Sequence, residues 1–390
     1  MTDVEVTPGS QAALREANRR RVVEALREAG TLTQAEIART TGLSAASVSN
    51  IVRDLRTAGT VSVRGTSSNG RRARAVTLRR ASGAVAAVDF GNSRITVAVG
   101  DTDGRTLVRE SIPYDVAADP AKGVRRAVWL LETVLAGARL DLSSVLGVCA
   151  AVPGPVDVRT GEVGAITSMP AWAGARPAEL LGARLGVPVQ AENDANLAAQ
   201  AEAAEGAGRG VQHLVYVRLS KGVGAGIMVE GRLFRGAGGT AGEIGHIGLD
   251  ERGQVCRCGN RGCLETLVGA PYLMDMVPTQ GAPGAPRDLD GLIGAAEQGD
   301  PGARRILSEA GSALGRGVAV LVNAFNPEMV LVGGELAGAG ERLMEPCRRS
   351  LELGALGSAL RDLRIEPGAL GENAVIRGAL RAAAAAVPAV

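Results

Sequence analysis

The chain is short of the residues that mark secreted and membrane proteins. Its 390 residues include five cysteines and two histidines, and aromatic residues make up 2%. So small and odd a cysteine count excludes a disulfide framework. No run of 18 apolar residues occurs, so no segment reads as a membrane-spanning helix, and the opening MTDVEVTPGSQ lacks a charged-then-apolar leader pattern. A cytoplasmic chain with no membrane partner is the expectation. Lysine occurs only at Lys122 and Lys221, so nearly all positive charge is arginine, which carries no functional reading by itself. What remains is 46% hydrophobic composition over a length that suits two or three globular domains.

The scarce residues are not scattered. The stretch GHIGLDERGQVCRCGNRGCLE (residues 245–265) gathers one of the two histidines and three of the five cysteines. Three thiols and an imidazole match the four tetrahedral ligands of a structural zinc site, so His246, Cys256, Cys258 and Cys263 are candidate ligands. Their spacing is unlike that of a zinc finger. Gly259 and Gly262 allow the tight turns a metal knuckle needs, which the alternative of buried thiols beside a satisfied histidine leaves unexplained.

Charge is also unevenly placed. Residues 1–80 carry 14 arginines against 7 acidic residues, a surplus of 7 that leaves the rest of the chain at −5 within a net charge of +2. Such asymmetry is a footprint of nucleic-acid binding when a motif accompanies it. Leu14, Val22, Val23 and Leu26 recur at helical spacing before Gly30. Thr33 and Glu36 form a capping-box pattern ahead of Ile37 and Ala38, in a short helix that stops near Gly42. Ser44 can cap a third helix, with Val48, Ile51, Val52 and Leu55 as its buried stripe and Gly59 at its end.

This is a helix-turn-helix. Ala45, Ala46, Ser47, Ser49, Asn50 and Arg53 are left for a major groove, where Asn pairs with adenine and Arg with guanine or phosphate. Two strands, Val61 to Arg64 and Ala73 to Leu78, around Asn69-Gly70 make a hairpin wing. Arg71, Arg72 and Arg74 would there grip phosphates or the minor groove. A winged-helix protein-docking module is the alternative reading.

Beyond Arg80 the pattern turns to α/β. The segment at 84–101 reads as two strands joined through Asp89, Gly91 and Asn92. The apolar segments 145–157, 187–196, 214–233 and 327–336 recur between Ala-rich helical stretches, which suggests two α/β lobes. The succession DFGNSR, PGPVD, ENDAN, GVGAG, GTAGEIGH, CRCGNRGCLE and NPEMVLVGG resembles the ROK family, named for repressors, open reading frames and sugar kinases, over residues 84–390. With the helix-turn-helix, nearly the whole chain resembles that family's regulators.

The resemblance implies a winged helix-turn-helix (residues 1–80) followed by a two-lobed actin-like sugar-kinase unit (residues 81–390). Lobe one would cover about 84–200 plus a helix near 373–388, and lobe two about 201–372. It implies a sugar or sugar-derivative effector held by Ser168, Asn193, Asp194, Glu243, His246 and Glu265; Ser168 stands where kinase relatives commonly have asparagine. Operator DNA would be the partner, and palindromic recognition implies a homodimer or homotetramer.

For a kinase, ATP with Mg2+ would sit against Asp89, Gly91, Ser93, Lys221, Gly222, Gly224, Gly333 and Gly334, with Asp194 as catalytic base. Asn92 and Ser93 replace the final Gly-Thr of the kinases' DxGGT, and Lys221 replaces a hydroxyl residue. The expectation is therefore a sugar-responsive transcriptional repressor rather than an enzyme, the alternative being an ATP-dependent sugar kinase that keeps a DNA-binding domain.

Overall fold

Three helices open the described part of the chain: α1 (Gln11–Ala29), α2 (Gln34–Thr41) and α3 (Ala45–Thr57). The computed structural model describes residues 11–68, 71–78, 83–91, 93–115, 119–165, 169–277 and 285–387. Asn69, Gly70, Asn92 and Ser168 lie outside these, as do the side chains of Arg71 and Arg72. The chain divides into two compact units, residues 1–82 with 387–390 and residues 83–386.

In the first unit Val22, Leu26, Ile37, Val48, Val52, Leu55, Val61 and Val76 form one core. Leu14 keeps the helical spacing of α1 but is 63% exposed and stands outside it. Strands β2 (Val61–Ser68) and β3 (Arg71–Leu78) pair antiparallel up to Ser68 and Arg71. The hairpin is longer than the alternation suggested, because the small and polar residues 65–68 continue the ladder without adding apolar signal. A three-residue strand β1 (Thr31–Thr33), too short to show any alternation, pairs with β3.

The second unit holds two five-stranded sheets of one plan. The first consists of β4 (Ala84–Phe90), β5 (Arg94–Asp101), β6 (Thr106–Pro113), β7 (Val145–Val152) and β8 (Val189–Asn193), ordered β6-β5-β4-β7-β8. The second consists of β9 (Leu214–Leu219), β10 (Val223–Val229), β11 (Arg232–Leu233), β12 (Met329–Gly333) and β13 (Arg364–Pro367), ordered β11-β10-β9-β12-β13. In each, the first three strands meander antiparallel and the last two join in parallel. Central strands such as β4 read as continuous apolar runs because both faces are covered.

Each sheet has its own core. Val88, Val97, Leu131 and Trp172 belong to one, and Val217, Leu264, Leu314 and Val332 to the other. Each such side chain contributes about 1.5–3 kcal/mol of burial.

Helix α6 (Asp194–Glu205; α4 is Pro120–Gly137 and α5 Pro177–Leu185) follows β8 directly, beginning within the segment 187–196. Asn193 makes this possible as N-cap, its side chain accepting the N–H of Asn196 at 3.1 Å. Almost every side of α6 is buried. Gly378, in the last helix (Ala374–Ala386), lies against the backbone of Leu197, and Gly226 of β10 lies against Ala199. The helix is thereby wedged between the covering layer of the first sheet and the face of the second.

Candidate functional site

In the first unit, Thr33 accepts the N–H of Glu36 at 3.3 Å and the Glu36 carboxylate accepts the N–H of Thr33 at 2.7 Å, the two halves of a capping box. Gly42 turns the chain at φ 69°, and Ser44 caps α3 by accepting the N–H of Ser47 at 3.1 Å. With Val48, Val52 and Leu55 buried, α3 turns Ala45, Ala46, Ser49, Asn50 and Arg53 to solvent, with Ser47 half-buried; Arg74 of the wing is exposed. Arg53 donates to Asn50 Oδ1 at 2.9 Å. Asn50 therefore presents its NH2 group freely, while its carbonyl supports the arginine.

In the second unit His246, Cys256, Cys258 and Cys263 converge, with one donor atom from each within 4.8 Å of the others. His246 Nδ1 is 3.5 Å from Cys256 Sγ, and Cys258 Sγ is 3.6 Å from Cys263 Sγ. Bonds of about 2.0–2.3 Å to a tetrahedral ion would separate ligands by roughly 3.3–3.8 Å. The donor set and its spacing fit such an ion.

The knuckle is held by backbone bonds: Cys256 N–H to Asn260 at 2.7 Å, Gly259 N–H to Cys256 at 2.9 Å and Leu249 N–H to Gly262 at 2.8 Å. Gly262 has φ 57° and packs against the backbone of Asp250, so no side chain fits there. Burial, then the neighbouring Cys258 and Cys256 thiols, pushes Cys263 up to about 12, while burial holds His246 below its ordinary value.

Of the expected effector residues, Glu243 and Glu265 lie beside this knuckle. His246 turns Nε2 toward Glu243, 3.9 Å from its carboxylate. Burial, then Asp194 and Glu265, pushes the Glu243 carboxyl up to about 7, so both of those carboxylates lie within electrostatic reach of Glu243. Glu265 is buried, pairs with Arg257 and accepts the N–H of Val223 at 3.2 Å. Arg257 sits between two of the cysteines and was not singled out from sequence, although a charge inside a metal knuckle needs a partner.

Asn193 donates to the carbonyl of Gly154 at 3.1 Å besides capping α6. One amide hydrogen and one oxygen lone pair remain for a ligand. Asp194 pairs with Arg218 at 3.2 Å, a partner the sequence reading also missed. The signal was a lone charge within the apolar strand LVYVRL.

Of the nucleotide-like set, Asp89 is half-buried, and its loss of solvation pushes it up to about 7 against the pull of Arg218. Gly222 lies against Arg257 and Glu265, Gly224 against Ala195, Gly333 against Tyr216 and Gly334, at φ 87°, against Leu219. Gly91 nears the Arg94 carbonyl, and Ser93 and Lys221 are exposed. A separate groove of about 580 Å³, lined by Gln190, Glu192, Gln200 and Arg235 among others, contains none of the expected ligand residues.

Residues 85–386 match the model of the ROK family and residues 17–73 that of the MarR family. The xylose repressor of Caldicellulosiruptor bescii is 28% identical over 385 residues, covering 95% of this chain and 96% of that protein. The glucokinase of Thermotoga maritima is 31% identical over 306 residues, covering 75% of this chain and 94% of the enzyme. The crystal structure of a ROK family transcriptional regulator, a homologue of E. coli Mlc, superposes with a TM-score of 0.79 at 26% identity, covering 95% of this chain and 97% of that one.

Proposed function

The chain belongs to the ROK family, and we propose that it is a sugar-responsive transcriptional repressor. Its first unit would bind operator DNA and its second a sugar or sugar derivative. The observation that carries this reading is coverage: the glucokinase similarity takes in 75% of the chain, whereas the xylose repressor similarity spans 95%. The exposed face of α3, with small residues ahead of Asn50 and Arg53, suits close approach to base edges.

Asp194, Glu243 and Glu265, with the remaining valences of Asn193, would accept and donate to vicinal hydroxyls between the two lobes. His246, Cys256, Cys258 and Cys263 would hold a structural zinc ion, which when bound fixes the loop that carries Glu243 and Glu265. Sugar binding would favour one arrangement of the lobes, and so of two winged helices in a homodimer reading a palindrome, through its differential affinity for the two states. Among the described residues no helix is long and apolar enough to cross a membrane, which agrees with work on DNA in the cytoplasm.

The second reading, ATP-dependent sugar phosphorylation, is favoured by the 31% identity to a glucokinase. It requires Asp194 as a base, yet that carboxylate is paired with Arg218. Sugar-dependent ADP release, measured with D-glucose and D-xylose, separates the readings. The repressor reading expects none while sugar still binds.

A further inference from the structure

Arg218 is the fifth residue of β9, in the second sheet, and the only charge in a strand whose other residues are all buried. Its Nη1 reaches Asp194 Oδ2 at 3.2 Å, at the end of the first sheet, and donates to Ser220 Oγ at 2.8 Å. Asp89, near the end of the central strand β4, has Arg218 as the foremost charge opposing its protonation. The guanidinium thus pairs with the buried Asp194 carboxylate of the opposite lobe.

Phosphoryl transfer would require metal ions to offset charge here and a free base beside the acceptor hydroxyl. Arginine is instead a permanent cation with a fixed fork of donors. Asp194 Oδ1 accepts the N–H of Ala195 at 2.8 Å and Oδ2 accepts Arg218, which leaves one lone-pair site on each oxygen.

We infer that Arg218 is a positioning residue of the effector site: it ties the Asp194 carboxylate to the second lobe and holds it as an acceptor for hydroxyl hydrogens of an intact sugar. The inference rests on the sugar-binding reading above. The pairing has a chemical consequence: one lone pair of Oδ2 is held by the guanidinium, whose charge opposes the upward push that burial gives the Asp194 carboxyl.

The test is calorimetric titration of the full-length protein with D-xylose, D-glucose and N-acetyl-D-glucosamine. Arg218→Gln keeps a donor toward Asp194 but removes the charge. It is expected to weaken binding of whichever probe the wild type takes by about tenfold or more, and Arg218→Lys to recover most of that loss.

In an Asp194→Asn background, adding Arg218→Gln is expected to change affinity by less than about twofold, because the group it positions is already gone. That neutral amide pair also keeps the test open should Arg218→Gln alone fail to fold, with ligand-observed NMR reading the weaker binding. Wild-type affinity in Arg218→Gln, or losses that simply add in the double variant, would overturn the inference while leaving the sugar site standing. A wild type that binds none of the three probes would overturn the sugar reading itself.

Discussion

The backbone N–H of Leu370 donates to Glu202 Oε1 at 2.8 Å across 168 positions of sequence, and Oε2 of the same carboxylate accepts the N–H of Ala207 at 2.9 Å. Residues 206–213 and 368–373 are the two passages of chain between the sheets. One wholly buried side chain of α6 therefore holds both. Gly206 and Gly368 press against the carboxylate, where neither position has room for a side chain.

Removing that carboxylate leaves two N–H groups without their acceptor. Glu202→Ala is expected to lower stability by about 2–4 kcal/mol, and Glu202→Gln by less because its carbonyl keeps one of the two bonds. Urea unfolding followed by circular dichroism reads both. A loss below about 0.5 kcal/mol for the alanine variant would show that the passages are held by other contacts.

Purified protein is expected to carry about one zinc per chain, and Cys258→Ser to lose it, because three protein ligands no longer close the tetrahedron. Elemental analysis after exhaustive buffer exchange, without chelator and under reduction, gives the stoichiometry. Metal-free wild-type protein that keeps its full thermal stability would exclude a structural ion.

Asn50 and Arg53 are expected to behave as one reading unit, since Arg53 donates to Asn50 Oδ1 at 2.9 Å. Each alanine variant should cost about 1–3 kcal/mol on the preferred site, and the double variant clearly less than the sum. Arg74→Ala should weaken binding to all sequences alike and reduce the salt slope by about 1. Fluorescence anisotropy on specific and random duplexes, at several salt concentrations, distinguishes the two behaviours; strict additivity would separate Asn50 from Arg53.

Asp89 gives a pH signature. Its folded value, pushed up to about 7 by burial, exceeds the ordinary 3.8, so between these values the native state keeps a proton that the unfolded chain has lost. The stability this supplies is complete below about pH 4 and disappears as pH rises through 7, falling by roughly 1.4 kcal/mol per unit. Asp89→Asn removes the dependence, so its stability relative to wild type is expected to rise from pH 5 to pH 7. An unchanged difference across that range would mean that Asp89 is ionised in the folded protein.

These features differ in how far they can be read from sequence. Thr33 with Glu36, Gly42 and Ser44 are local devices whose partners lie within a few residues, so their pattern alone located α2 and α3. The four metal-type donors were legible because the chain has so few cysteines and histidines elsewhere. The partners of Arg218 and Glu202 were not, since they sit 24 and 168 positions away: Arg218 breaks the apolar pattern of its strand, but nothing local says what it pairs with. Leu14 kept the period of α1 yet stayed exposed, because spacing marks a face and not what covers it.

The measurement that bears most directly on the repressor reading is operator affinity across a sugar titration. A duplex selected by the protein from random DNA serves as operator, at one fixed salt concentration. The wild type is expected to shift its affinity about tenfold or more at saturating sugar, and Glu243→Ala to bind the same duplex normally but without that shift. A wild type that binds the sugar by calorimetry yet holds its operator with unchanged affinity would contradict the account.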